Sequence, residues 1–200
     1  PGDAETALDS LKSRPELHAP EPNTLDDVFD DIERVAIALG VPDRGASLLS
    51  SLRRRRDQVA ERTRSIPQGD RPRVAFLEWL LPPFNGGHWN PELISLAGGI
   101  DTLGSHGKPS ATTNWAEVRA AAPNVVVVAC CGLTPERTQQ DLRSLASNED
   151  WCSLAAVQED RVILVDGNAY FSSPGPRLID GLEVVAHALH PDVHPVPTFS

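Results

Sequence analysis

The chain has 200 residues, 40% of them hydrophobic and 23% charged, a composition typical of one globular domain with its own core. Its formal net charge of −10 argues against nucleic acid as a partner, because phosphate contacts require a basic surface. The longest apolar run, residues 125–129, is too short to span a bilayer, and no segment has the pattern of a targeting peptide. The sequence contains no methionine, even at its first position, so we expect a piece of a longer protein.

The first third of the chain has a helical pattern. After a segment rich in proline and charge, Thr24 has the position of an N-cap, with an acidic residue three positions later. Apolar residues then recur every three or four positions until Gly40 and Pro42 interrupt them, and the pattern resumes over residues 44–65. We interpret these nearly consecutive helices as a long strut that packs against more than one body.

From Arg73 onward the pattern alternates between strands and helices. Apolar, β-branched runs predict three buried strands, over residues 74–79, 125–129 and 161–165. Helical patterns lie between and after them, over residues 91–96, 115–122, 135–146, 151–157 and 176–189. This alternation predicts an α/β fold, with a parallel sheet and helices on both faces. Three prolines after residue 190 predict a loose tail.

Two predicted strands continue into loops that combine proline, glycine and aromatic residues, residues 78–89 and 166–177. Ligands of open parallel sheets collect beyond the carboxyl ends of the strands, and large rings suit a bulky planar ligand. We therefore predict ligand contacts for Trp79, Phe84 and Tyr170. Trp89 fits a ligand contact and a packing position equally. Three further aromatic residues are expected in the core: Phe76, Trp115 and Trp151.

Catalysis is the main alternative to binding. His88 and Glu78 share the first loop, and Cys131 follows the strand at residues 125–129, so the three could form an acid–base or nucleophilic set. However, a zinc site needs three or four converging ligands, and neither loop holds more than one histidine. Cys130, Cys131 and Cys152 lack metal-ligand spacing and are expected as buried thiols.

The residues alone therefore favour a non-catalytic binding module with no metal and no cofactor. A small hydrolase or metal-dependent enzyme that uses His88, Glu78 and Cys131 stays open, and so does a ligand sensor outside a transporter.

The two loops together resemble a known family. Residues 76–84 read Phe-Leu-Glu-Trp-Leu-Leu-Pro-Pro-Phe, residues 87–93 read Gly-His-Trp-Asn-Pro-Glu-Leu, and Ala-Gly-Gly follows at 97–99. In the second loop, Val-Asp-Gly at 165–167 leads to Tyr-Phe at 170–171 and Pro-Gly-Pro-Arg at 174–177. Over about residues 15–192, the chain resembles the connecting helix and C-terminal lobe of cobalamin-type, helical-backbone (class III) solute-binding proteins of ABC transporters.

In that family, one long helix joins two α/β lobes that hold a corrinoid between them. The resemblance implies the end of a missing first lobe at residues 1–23, a connecting helix at 24–66, a ligand-binding lobe at 67–192 and a tail at 193–200. It implies that the rings that pack on the corrin are Trp79, Phe84 and Tyr170. The residues that it places along the same cleft are Gly87, His88, Trp89 and Phe171.

The resemblance also implies partners and a compartment. The expected ligand is cobalamin or a related corrinoid or metal chelate, and the expected macromolecular partner of the monomer is an ABC permease. The full-length protein is expected in the periplasm, or anchored outside the cell membrane, although a cytoplasmic location stays open. Transport members carry an acidic docking residue after the aromatic pair, where this chain has Ser172. Ser172 is thus the candidate docking position, and coupling to transport is left open.

Overall fold

The structure is a computed structural model that describes residues 19–198. Its helices are α1 (Leu25–Ala38), α2 (Pro42–Thr63), α3 (Asn90–Leu96), α4 (Trp115–Ala120), α5 (Pro135–Ser144), α6 (Glu149–Cys152), α7 (Ala155–Gln158), α8 (Gly167–Tyr170) and α9 (Leu178–Leu189). Its strands are β1 (Arg73–Leu80), β2 (Pro83–Asn85), β3 (Ile100–Asp101), β4 (Val125–Val128) and β5 (Val162–Leu164). The predicted α/β class is confirmed. Most of the predicted end of a first lobe lies outside the described residues.

The strands form one sheet in the order β2-β1-β4-β5, and β3 pairs with β1 outside that path. β1, β4 and β5 lie parallel, as predicted. β3 pairs with the first two residues of β1, and β2 runs antiparallel along the last ones, so both occupy the edge of β1 that faces away from β4. Periodicity did not predict β2 and β3, because two or three residues are too few to show a period.

Both faces of the sheet are buried, and each face has its own core. In β1, Val74 and Phe76 belong to the first core, whereas Ala75 and Leu77 belong to the second. The first core also takes buried residues of α1, α2, α3 and α9, and the second takes those of α4, α6 and α7. Since all positions of β4 and most of those of β1 are buried, these two strands read as continuous apolar runs. The three aromatic residues that were predicted as core all lie there: Phe76, Trp115 and Trp151.

The predicted connecting helix over residues 24–66 is in fact two helices, α1 and α2, which pack antiparallel. Thr24 caps α1 as predicted, and its hydroxyl accepts the Asp27 N–H at 3.1 Å. Gly40 then adopts a φ of +69°, a left-handed conformation that glycine reaches without strain. The chain reverses at this point, so the two predicted helices lie side by side and do not continue each other as one long strut.

Close contacts hold the two helices together along their length. Near the turn, Gly45 lies against Ala36, and a Cβ at Gly45 would collide with the Ala36 Cβ. At the opposite end, Arg56 Nη1 lies 3.2 Å from Asp26 Oδ1, and the Arg56 guanidinium carbon lies 5.7 Å from the centroid of the Phe29 ring. The pair is therefore a helical hairpin whose inner side forms part of the first core.

A charged cluster fastens α2 to α9. Arg55 Nε and Nη2 donate to the two carboxylate oxygens of Glu183 at 2.9 and 2.6 Å, and Nη2 also donates to Asp180 Oδ1 at 2.6 Å. Hydrogen bonds to Glu183 and then Asp180 raise the pKa of Arg55 above its usual range. A planar guanidinium that bonds a carboxylate with two parallel N–H groups fixes both distance and orientation. α2 is thus an integral part of this lobe.

The segment after α9 is also better fixed than predicted. His194 is only 2% exposed, and the amides of Val193 and His194 donate to the His190 carbonyl oxygen at 3.1 and 3.0 Å. The prediction of a loose tail is therefore wrong as far as His194.

We expect Arg55→Ala to lower the free energy of unfolding by about 1–3 kcal/mol, because it leaves two half-buried carboxylates without their donor. The matched control is Arg54→Ala on the same helix. Arg54 is exposed and makes one long contact, to Ser51 Oγ at 3.3 Å, so its loss should cost less than about 0.5 kcal/mol. Urea unfolding measures both, and equal effects would contradict the anchoring role.

Candidate ligand-binding site

The first group of predicted contacts lies on a β-hairpin at the carboxyl end of β1. Trp79 pairs directly with Phe84 across the β1–β2 ladder, so both rings lie on the same face of the sheet. Both side chains are half-buried. Trp79 packs against the second core, and its indole Nε1–H donates to the Leu81 carbonyl oxygen at 3.1 Å. Sequence patterns placed the two residues in one loop, whereas the hairpin sets them side by side.

Glu78 organises the loops beside this hairpin. Its Oε1 accepts the Gly87 N–H at 3.1 Å and the Asn90 Nδ2–H at 2.7 Å, and its Oε2 accepts the Ser110 hydroxyl at 2.6 Å. One carboxylate thus ties β1 to the loop before α3 and to the loop before α4. With three donors bound, Glu78 is a structural acceptor at this edge of the sheet.

The loop of residues 86–89 is shaped by close backbone contacts. A Cβ at Gly87 would collide with the backbone of Ser110, so this position requires glycine for packing and not for ligand approach. His88 adopts a φ of 53°, its N–H donates to the Lys108 carbonyl oxygen at 2.6 Å, and its own carbonyl accepts the Gly107 N–H at 3.0 Å. The half-buried imidazole of His88 lies beside Trp89, with ring centroids 5.5 Å apart.

Two predicted contacts lie inside the first core. Phe171 is 1% exposed, and its ring packs edge-on against Phe76 with centroids 5.3 Å apart. Trp89 is 6% exposed, and its Nε1–H donates to the Phe171 carbonyl oxygen at 3.0 Å. Both rings therefore lie in the core of this structure, and the ligand contacts of Trp89 and Phe171 stay predictions.

The carboxyl ends of β4 and β5 form the other side of the site. Asp166 caps α8, accepting the Ala169 N–H at 3.0 Å, and this short helix carries Tyr170 half-buried at the edge of the first core. Asn168 joins the two strand ends: its Oδ1 accepts the Gly132 N–H at 2.6 Å and its Nδ2 donates to the Leu133 carbonyl oxygen at 3.0 Å. Sequence reasoning missed this clamp, for which Asn at a helix start is the only signal.

The aromatic residues do not form one continuous wall. Trp79 packs toward the second core, with Phe84 beside it on β2, whereas Tyr170 follows β5 and packs toward the first core. Three strand spacings of about 4.8 Å separate β2 from β5, so the two groups bracket a rim about 14 Å wide.

Cys131, the candidate nucleophile of the alternative catalytic set, is a thiol of raised pKa. Burial raises this pKa, and the contact with Ser172 Oγ, 3.1 Å from the sulfur, offsets only part of the effect, so the reactive thiolate is disfavoured at neutral pH. Within residues 19–198, no three His, Cys, Asp or Glu side chains converge so as to hold a metal ion. The three thiols are free; Cys130 is buried as predicted, but Cys152 is exposed.

Ser172, the candidate docking position, is turned into the lobe. Its hydroxyl donates to the Gly167 carbonyl oxygen at 2.9 Å, and the side chain is half-buried. The neighbouring Ser173 is exposed instead.

A family model described as periplasmic binding protein matches residues 8–169. The chain belongs to the periplasmic binding protein family. The vitamin B12-binding protein of Vibrio cholerae is 24% identical over 176 residues, which cover 84% of this chain and 58% of that protein. The chain thus spans little more than half the length of the curated relatives that it matches.

Solved members of this family show the same fold. An ABC transporter substrate-binding protein from Listeria monocytogenes superposes with a TM-score of 0.80 at 16% identity, over 96% of this chain and 73% of that one. A periplasmic heme binding protein from Pseudomonas aeruginosa superposes with a TM-score of 0.74 at 23% identity, over 99% and 71% of the two chains. The resemblance inferred from the two loops is confirmed at the level of family and fold.

We expect Glu78→Ala to lower the free energy of unfolding by about 2–4 kcal/mol, because it leaves three half-buried donors unsatisfied. Backbone amides of residues 87 and 88 should exchange with solvent faster in this variant. Glu159→Ala, at an exposed site after α7, is the matched control and should change stability by less than about 0.5 kcal/mol. A Glu78 variant as stable as the control would contradict the organising role.

Proposed function

We propose that this chain supplies one wall of an interlobe cleft that binds cobalamin or a related corrinoid, in a solute-binding protein that serves an ABC importer. The observation that carries the proposal is the set of half-exposed rings at the carboxyl edge of the sheet: Trp79, Phe84 and Tyr170. Rings at such an edge offer flat apolar surface with little conformational freedom to lose. The name of the Vibrio cholerae relative, a vitamin B12-binding protein, supports a corrinoid.

The width of the rim also supports a macrocycle. A ligand that contacts Trp79 on one side and Tyr170 on the other has to cross the ends of β1, β4 and β5, whereas an amino acid or a monosaccharide is too narrow to do so. Between the two groups lie small residues and backbone at Cys131 and Gly132, which leave room for a broad face.

Binding without turnover is part of the proposal, because Glu78 is saturated with donors and the Cys131 thiol stays protonated. We further propose that the full-length protein works outside the cytoplasmic membrane, as the names of its periplasmic relatives suggest. In the described part of the chain, no helix is both long and apolar enough to cross a bilayer. The inward Ser172 hydroxyl makes the exposed Ser173 the better candidate for a permease contact.

The first test is a titration of the purified chain with cyanocobalamin, followed by calorimetry and the visible spectrum. We expect micromolar or weaker binding, since one wall buries only one side of the ligand, and about a tenfold loss of affinity for Trp79→Ala. Ile100→Ala is the control, because Ile100 is exposed on β3 at the opposite end of the sheet. No heat and no spectral change at millimolar ligand, or equal losses in the two variants, would remove the corrinoid proposal.

A second test separates a corrinoid from haem, which the Pseudomonas relative is named for binding. Haem iron needs an axial protein ligand such as tyrosine or histidine, whereas a ring that stacks on a corrin needs no hydroxyl. Tyr170→Phe should therefore leave the affinity for cyanocobalamin within about twofold of the parent. If the chain instead binds hemin with a shifted Soret band that this substitution abolishes, haem replaces the corrinoid as the ligand.

A further inference from the structure

Three histidines form a corner beyond α9, on the side of the lobe away from the aromatic rim. His187 Nδ1 lies 2.9 Å from the His194 carbonyl oxygen, and His190 Nε2 lies 3.1 Å from the Gly98 carbonyl oxygen. A carbonyl oxygen can only accept, so both rings donate an N–H. Each of these two histidines can therefore take up a second proton without losing its hydrogen bond.

His194 is different, because its second ring nitrogen is buried and has no hydrogen-bond partner among the described residues. Thr63 Oγ1 donates its single proton to the Leu96 carbonyl oxygen at 2.6 Å, so toward His194 Nε2, 3.3 Å away, it must accept. The Nε2 atom of His194 thus carries the proton of the neutral ring. The other nitrogen, Nδ1, is buried and has no partner within the described protein.

The charged groups that act on this ring disfavour its protonation. The elements packed around His194 present Gln58 and Arg62 from α2 and Ala186 and Glu183 from α9. Glu183 already accepts two hydrogen bonds from Arg55. The remaining titratable neighbours, Arg62, His187 and His190, are positive or become positive in acid.

We propose that His194 is an acid-sensitive latch: its neutral, buried ring holds residues 191–198 against the end of α2, and its protonation releases them. Burial first, and then the nearby positive groups, lower the pKa of His194 to about 4 in the closed form. In an open form exposed to solvent, the same ring titrates near its ordinary value of about 6.5. The open form therefore binds more protons between these two values, so opening is favoured as the pH falls through that window and is unaffected above it.

Release of the latch would also affect the ends of α2 and α3, which meet beside His194. Thr63 is the last residue of α2, and Leu96 is the last residue of α3. When His194 leaves, Thr63 Oγ1 loses its only N–H donor among the described residues and becomes accessible to water. Acid would thus loosen the end of the helix that the family resemblance assigns to the connection between lobes.

The test is amide hydrogen exchange by NMR on the intact chain at pH 7.5 and pH 5.0, with rates corrected for intrinsic exchange. At the amides of Val193 and His194, we expect the opening constant to rise about thirtyfold at pH 5.0, as the two pKa values require. Amides of β4 should keep their protection, because the opening is local. Loss of protection in β4 at the same rate would show global unfolding and overturn the latch.

Two variants separate His194 from the other histidines. His194→Gln keeps an N–H that can reach Thr63 but cannot titrate, so its opening constant should be the same at both pH values within about twofold. His106→Gln removes an exposed histidine beside Glu92 and should retain the parent's thirtyfold change. A pH response that survives in the His194 variant would contradict the proposal.

If His194→Gln fails to fold, the imidazole nitrogens of the parent give an independent answer. Their ¹⁵N shifts should report His194 as the Nε2–H tautomer down to about pH 5. Titration of His194 itself near pH 6.5 would overturn the latch.

Discussion

The constraint on which the rest of the structure depends is that the central strands are buried on both faces. Alternate residues of β1 enter two different cores, and all four residues of β4 are buried valines. A sheet that hides both faces must be covered by helices on each side, so a ligand can approach only at the strand ends. The half-exposed aromatic residues lie at the carboxyl edge of the sheet for this reason.

Much of the fold could be predicted from the sequence, because strands and helix caps leave local patterns in it. Apolar, β-branched runs predicted the parallel strands, and Thr24 caps α1 at the expected position. The reversal between α1 and α2 was harder, since one interruption is compatible with a kink or with a turn. The contact between Gly45 and Ala36 shows that the chain turns here. Such a contact leaves no periodic pattern in the sequence, so it could not be predicted.

The candidate site shows the same limit of sequence-based prediction, at the level of single residues. Tyr170 and Phe171 are neighbours in sequence and looked equally suited to a cleft, yet one is half-exposed and the other lies in the core. The single turn α8 ends at Tyr170, and Phe171 follows it directly. Each residue along a helix turns the direction of the side chain by about 100°, so the two rings point to different sides. A turn of four residues is too short to be recognised from periodicity, so the inward and outward positions could not be separated.

Residue types that suggest catalysis do structural work in this protein. The Glu78 carboxylate accepts hydrogen bonds from two loops, one of them through a side-chain amide. Cys131 is a protonated thiol near Ser172.

The rings on the two sides of the rim pack on different cores, and this has a mechanical consequence. Trp79 rests on the second core and Tyr170 on the first, and the sheet separates these cores. In the free lobe, a loosening of one core reaches the other only through the strands. A molecule in contact with both rings would connect the two cores. Local opening would then become less favourable on both faces of the occupied lobe.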